Sequence, residues 1–145
     1  LRAGEIGLVF ATVIARKNHG ANSGIDFRTH DIAYAHAQAQ LALYRELERQ
    51  GVMRMIRTAA DLRAWKAGWD ADPATAPIGY VLLMEGADPI VEPDGARGWW
   101  EDGLRMVGLA HYGPSAYAFG TGSAGPLTAK GRELLRIMDE VGMIQ

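Results

Sequence analysis

Residues 126–145, PLTAKGRELLRIMDEVGMIQ, read as a helix running into the first residues of a buried strand. Thr128 stands where a hydroxyl can accept from the free backbone N–H groups of a helix start. Leu134, Leu135, Ile137, Met138 and Val141 then recur at helical spacing. Gly142 falls where a helix closes on a left-handed residue. Met143 and Ile144 open an apolar run at the very end of the sequence. A strand that starts needs a neighbour, so the expectation is an internal piece of a larger α/β enzyme.

Working back from there, strands and helices alternate. Arg105 to Ala110 reads as a strand that delivers His111 at its end, and Tyr112 to Gly125 as a long, flexible, Gly-rich loop. Trp99 to Gly103 reads as a short helix. Ile78 to Met84 is an apolar strand that delivers Glu85, followed at once by Gly86. Thr58 caps a helix reaching about Trp69, with Asp61 at the capping-box position. Val52 to Arg57 is a short strand. From about Thr29 to Gln50 the chain is helical, with Ile32, Ala35, Ala39, Leu43 and Leu47 as its apolar stripe. Arg16 to Gly24 is a polar loop. Ile6 to Ile14 is rich in branched apolar residues and reads as a central strand buried on both faces. This order implies parallel strands joined by right-handed crossovers, in a doubly wound sheet or a barrel.

The bulk properties narrow the function. A chain of 145 residues holds one ordinary domain, and 48% hydrophobic with 22% charged residues is a globular composition. A formal net charge of −2 leaves no basic footprint for nucleic acid. There is no cysteine, hence no disulfide and no thiolate metal site, which fits an intracellular protein and favours a cytoplasmic location. No run is apolar enough to span a bilayer.

Two polar residues close apolar strands, Glu85 and His111. In parallel α/β folds the C-terminal ends of the strands are where active sites form. A carboxylate there is costly unless something positive or protonated meets it, and a metal ion would satisfy it. Loop N–H groups or an Arg would satisfy it equally, and a lone strand-end His is often plain hydrogen-bonded structure. His19, in the loop after the first strand, can approach the same rim, whereas His36 on the first helix is expected to face solvent. No His-x-His, His-x-Asp or His-Glu-x-x-His spacing occurs. Ser115 and Ser123 lack nucleophile-elbow flanks. Trp65, Trp69, Trp99 and Trp100 read as packing residues.

In order, these segments resemble the membrane (renal) dipeptidase family. The resemblance is carried by four stretches. They are the strand ending Glu85-Gly86, Trp99-x-x-x-Gly103-Leu104-Arg105-Met106-Val107 leading to His111, Leu127-Thr128-x-x-Gly131-Arg132-Glu133-Leu134-Leu135 leading to Gly142-Met143-Ile144, and the opening Gly4-Glu5-Ile6-Gly7. The helix from Thr58-Ala59-Ala60-Asp61-Leu62 resembles the one before the family's Glu-bearing strand. The resemblance implies a partial (β/α)8 TIM barrel, about strands two to five, forming a single partial domain over residues 1–145. It implies a zinc-dependent dipeptidase that hydrolyses dipeptides or related small amides by metal-activated hydroxide. Glu85 would be the carboxylate bridging two Zn2+ ions, and His111 the residue that contacts the substrate near the oxyanion. The family's other metal ligands would lie outside the chain, leaving this piece inactive alone. Ala87 stands where the family usually has a second Gly, Asp88 where a His is common, and Tyr112-Gly113-Pro114-Ser115 where an Asn is frequent. A non-catalytic α/β module that binds a ligand or partner, and buries its sheet edges by forming a homo-oligomer, is the alternative.

Overall fold

The structure, a computed structural model, describes residues 1–18 and 23–145. It is a mixed α/β chain in which every strand of the main sheet is parallel to its neighbour. Strand β1 (Leu8–Val13) is followed by two short strands, β2 (Arg16–Lys17) and β3 (Asp26–Phe27), which pair in parallel as a separate sheet. Helix α1 (His30–Arg49), strand β4 (Met53–Met55), helix α2 (Ala59–Ala71) and strand β5 (Ile78–Glu85) come next. Helix α3 (Ala96–Glu101), strand β6 (Leu104–Gly108) and helix α4 (Ala129–Val141) complete the order.

β5 is the centre of the four-stranded sheet. One edge pairs with β1, from Leu8↔Gly79 to Val13↔Met84. The other is shared. β4 pairs with Ile78–Tyr80, and β6 takes over from Leu82 to Glu85, with an irregularity between Leu82 and Leu83. The strand expected at the chain end forms as a parallel bridge. Ile144 N–H donates to Arg105 O at 2.8 Å, and Val107 N–H donates to Ile144 O at 3.0 Å. The signals that place α4 act as read. The Thr128 hydroxyl accepts from Gly131 N–H, and Gly142 adopts φ 82°.

One face of the sheet carries the core. Tyr80, Leu82 and Met84 of β5 are fully buried with Val13, Leu104, Leu134, Ile137 and Met138. The expectation that β1 is buried on both faces does not hold. Its second face is open, with Phe10 60% exposed and Leu8 also exposed. Side chains alternate along a strand, so register places Phe10 beside Val81, Thr12 beside Leu83, and Met106 beside Leu83 on that same open face. Glu85, two residues after Leu83, belongs to it too.

α1 buries a different stripe from the one its largest apolar residues suggest. Ala33, Ala37 and Leu41 face the core, while Ile32 and Leu43 are exposed. Small alanines allow a close approach to the sheet, and polar ties fix the roll of the helix. The Gln40 amide bonds both N and O of Ile14, and the Tyr44 hydroxyl donates to Thr12 O. His36 is exposed as expected, yet its ring stacks on Phe27 at 4.0 Å. α2 has its capping box on Thr58 and Asp61 and buries Trp65, whose indole N–H donates to Pro77 O. Trp99 is buried in α3, and Arg105 lies over the Trp100 ring at 3.6 Å. Among the described residues, no helix is long and apolar enough to cross a membrane.

Candidate active site

Because β1, β5 and β6 run parallel and in register, Val13, Glu85 and Gly108 end at one edge of the sheet. Gly86 N–H then donates to Gly108 O at 3.0 Å, and Ala87 N–H to Leu109 O at 3.3 Å, which carries the pairing just past the strands. That continuation brings the two sequence-selected residues together. His111 Nδ1 stands 2.7 Å from Glu85 Oε1, with the imidazole 27% and the carboxylate 43% exposed. No other hydrogen bond or ion pair joins the carboxylate to a described residue, so Oε2 is free to take a ligand. A ring that donates from Nδ1 keeps Nε2 as an acceptor when neutral and as a donor when protonated.

Behind His111 the loop expected to be flexible is folded back on itself. Thr121 N–H donates to His111 O, Gly113 N–H to Thr121 O, and Gly120 N–H to Gly113 O, each at 2.9 Å. Gly120 lies so close that a Cβ there would stand 1.9 Å from the His111 carbonyl oxygen. The Ser115 hydroxyl donates to Leu109 O and accepts from the N–H groups of Tyr117 and Ala118. It is thus a turn-former rather than a nucleophile. Tyr117 is fully buried, its hydroxyl donates to Ile90 O, and burial pushes its pKa above the ordinary tyrosine range.

Sequence reasoning passed over the residues that assemble the mouth. Asp88 is 4% exposed, the one charged residue buried as a whole among the described residues. Its Oδ2 accepts from Lys17 N–H and its Oδ1 from Ala116 N–H, so it staples β2 to the loop after β6. Its carbonyl oxygen lies 3.1 Å from His30 Nδ1, which adds the start of α1 to the same knot. Arg16 forms a second staple. Its guanidinium meets Asp26 Oδ1 at 2.7 Å and donates to Tyr112 O at 3.1 Å. Burial tends to raise the Asp26 pKa, but the Ser23 hydroxyl and Arg16 outweigh it and hold the carboxyl below its usual range. Asp88 had one signal in the sequence, an acid three residues after Glu85, whereas Arg16 had none. His19 lies outside the described residues.

A cavity of about 460 Å³ opens at this mouth, lined by Arg16, Lys17, Asn18, Asp88 and residues 112–116. The Tyr112 ring, part of that lining, stands edge-on to the His111 ring at 4.5 Å. Among the described residues, no group of three or more His, Cys, Asp or Glu converges as a metal-binding cluster.

No family model matches the chain, and no curated protein sequence does. Solved structures do. A probable dipeptidase, PvdM, from Pseudomonas aeruginosa superposes with TM-score 0.76 at 16% identity, covering 99% of this chain and 38% of that one. An amidohydrolase from Pseudomonas aeruginosa gives TM-score 0.75 at 16% identity, over 98% of this chain and 38% of that one. A dipeptidase designated AC, a metallopeptidase of family M19, gives TM-score 0.64 at 21% identity, over 99% of this chain and 44% of that one. At such identities the likeness is one of fold, and the fold is that of dipeptidase and amidohydrolase structures, as the sequence resemblance implied. The chain spans about two fifths of the length of these structures.

Proposed function

We propose that residues 1–145 form one partial (β/α)8 barrel domain of a zinc-dependent hydrolase that cleaves dipeptides or related small amides. The observation that carries this reading is the meeting of Glu85 and His111, 2.7 Å apart, at the C-terminal ends of neighbouring parallel strands. Function in such sheets concentrates at that edge. The dipeptidase and amidohydrolase structures that share the fold support the reaction class.

The donor set fits one position of a metal centre. Glu85 offers a half-exposed carboxylate with Oε2 open and would hold a metal ion there, while serving two Zn2+ ions would need Oε1 as well, which faces His111. The further ligands that a closed zinc site needs would come from outside this chain. When bound, zinc supplies Lewis acidity and a nucleophile drawn from water at neutral pH. This chain's own contribution is to hold charge in place. The Gly86 and Ala87 amides fix the strand end behind Glu85, and the loop folded against the His111 carbonyl fixes the imidazole. With Nδ1–H donated to Glu85, the ring can donate from Nε2 to a developing oxyanion only as imidazolium.

The test replaces Glu85 with Gln in the full-length parent, which keeps side-chain shape and removes the charge. Zinc-dependent dipeptide hydrolysis should fall by at least two orders of magnitude, roughly 3 kcal/mol of transition-state stabilisation. An unchanged rate would remove Glu85 from the mechanism and leave the non-catalytic module as the better reading. The 145-residue chain alone is expected to bind zinc weakly and to be inactive, because one carboxylate does not close a site.

A further inference from the structure

We propose that the cavity between α1 and α3 is a binding site for a basic residue carried on a peptide, recognised by its cationic side chain and its neutral carbonyl together. The cavity has about 500 Å³. Asp31, Tyr34 and Gln38 line it from α1, Gly98 and Trp99 from α3, and residues 89–92 from the segment between β5 and α3. Neither Glu85 nor His111 belongs to the lining, so the site stands apart from the hydrolase reading.

The lining carries charge of one sign. Asp31, Glu92 and Asp102 belong to it, and no Lys, Arg or His does. Two of these acids are answered by cations from outside it. Lys130 meets Glu92 at 2.8 Å, and Arg45 meets Asp102 at 2.5 Å. The Gln38 amide donates to the other Asp102 oxygen at 3.1 Å. The Asp31 carboxylate forms no hydrogen bond or ion pair with a described residue.

The aromatic wall leaves a second group unanswered. Tyr34 stands edge-on to Trp99, with ring centroids 5.8 Å apart. Trp99 is 3% exposed, and its indole N–H donates to no described residue. A buried indole N–H ordinarily finds an acceptor. This one is not sealed in, because Tyr80 holds the only fully enclosed, unbonded side-chain N or O atom among the described residues. A lone acid near aromatic rings suits a guanidinium or ammonium, whose alkyl stem can cover apolar surface. The open N–H asks for an acceptor. A free amino acid would bring its own carboxylate to a negative lining, and a simple amine would bring no acceptor. A basic residue within a peptide brings the cation and a neutral carbonyl. Gly98 leaves the space for it. A Cβ there would meet nothing within 4 Å, and its φ is not positive. Neither packing nor backbone conformation thus calls for a residue that weakens a helix relative to alanine.

The experiment is NMR titration of the 15N-labelled chain with four probes. These are N-acetyl-arginine amide, its neutral isostere N-acetyl-citrulline amide, n-butylguanidine and free arginine. The blocked arginine should bind about tenfold more tightly than the citrulline isostere and several-fold more tightly than the other two. It should also move the Trp99 indole N–H resonance, and added salt should shrink its advantage. Asp31→Asn should remove the preference for arginine over citrulline. Gly98→Leu fills the space and strengthens the helix, so it should abolish binding without lowering the unfolding midpoint. The proposal is overturned by no binding, by equal binding of the arginine and citrulline amides, or by a preference that survives in Asp31→Asn. Undiminished binding in Gly98→Leu overturns it too, as does butylguanidine or free arginine binding as tightly as the blocked residue.

Discussion

The Glu85 carboxylate and the His111 imidazole belong to residues far apart in sequence, and the backbone behind the imidazole packs against a residue with no side chain. Gly120 lies against the His111 carbonyl, where any Cβ would be 1.9 Å from the oxygen and 2.9 Å from Gly113 O. Both obstacles are backbone and cannot rotate away. Gly120→Ala should therefore destabilise the chain by about 1–3 kcal/mol, the usual range for overpacking. Denaturant unfolding measures that cost, and the histidine C–H resonances should report displacement of His111. A second residue-scale expectation concerns Tyr80. Its hydroxyl is buried without a hydrogen-bond partner among the described residues, and burial pushes its pKa up to about 12. The ring stacks on Tyr44 at 5.4 Å. Tyr80→Phe keeps the stack and removes the unsatisfied group, so stability should rise by about 1 kcal/mol in urea unfolding.

At the scale of elements, α1 shows how local pattern and tertiary packing diverge. The sequence reads as one apolar stripe, Ile32, Ala35, Ala39, Leu43 and Leu47, and in the structure a second lies beside it, Ala33, Ala37 and Leu41. Size alone favours the first, and the structure buries the second. The preference follows from groups the helix cannot see locally. Ile14 presents both backbone polar atoms to Gln40, and Thr12 presents its carbonyl to Tyr44. Leu41→Ala should cost about 2–5 kcal/mol, as for a buried leucine, and Leu43→Ala should stay within about 0.5 kcal/mol of wild type. Paired chemical denaturation curves decide this, and the reverse order would mean that the helix is rolled the other way. α4 is the contrasting case. Its cap at Thr128, its apolar spacing and its glycine stop all lie within the element, and each acts as read.

At the scale of the whole molecule, the main sheet has one covered and one open face. Leu8, Phe10 and Ile144 are exposed, with Val81, Leu83 and Met106 only partly covered between them. Contiguous apolar surface of this kind marks a place where something binds. The chain should bind a hydrophobic dye such as ANS and associate with rising concentration. Phe10→Thr retains a β-branched strand former and should lower both the dye fluorescence and the light scattering. A chain that stays dark and monomeric would show that the face is covered. Glu85 sits at the end of this open face, so the same apolar surface leads to the candidate active site.

What the amino-acid order determined is the alternating strands and helices of the main sheet and the two residues worth testing, whereas β2 falls where it read a polar loop and β3 where it read no element. Caps, helical spacing, glycine stops and a polar residue at the end of an apolar strand each act over a few neighbouring positions, so they can be read without a fold. Only the tertiary structure decided which strands are neighbours, with β4 and β6 sharing one edge of β5. It also decided which stripe of α1 is buried, how residues 112–125 fold back, and that Asp88 and Arg16 staple the mouth. These depend on backbone polar groups and close approaches between segments distant along the chain. No local pattern encodes them, because the partner that satisfies each group is absent until the chain has folded.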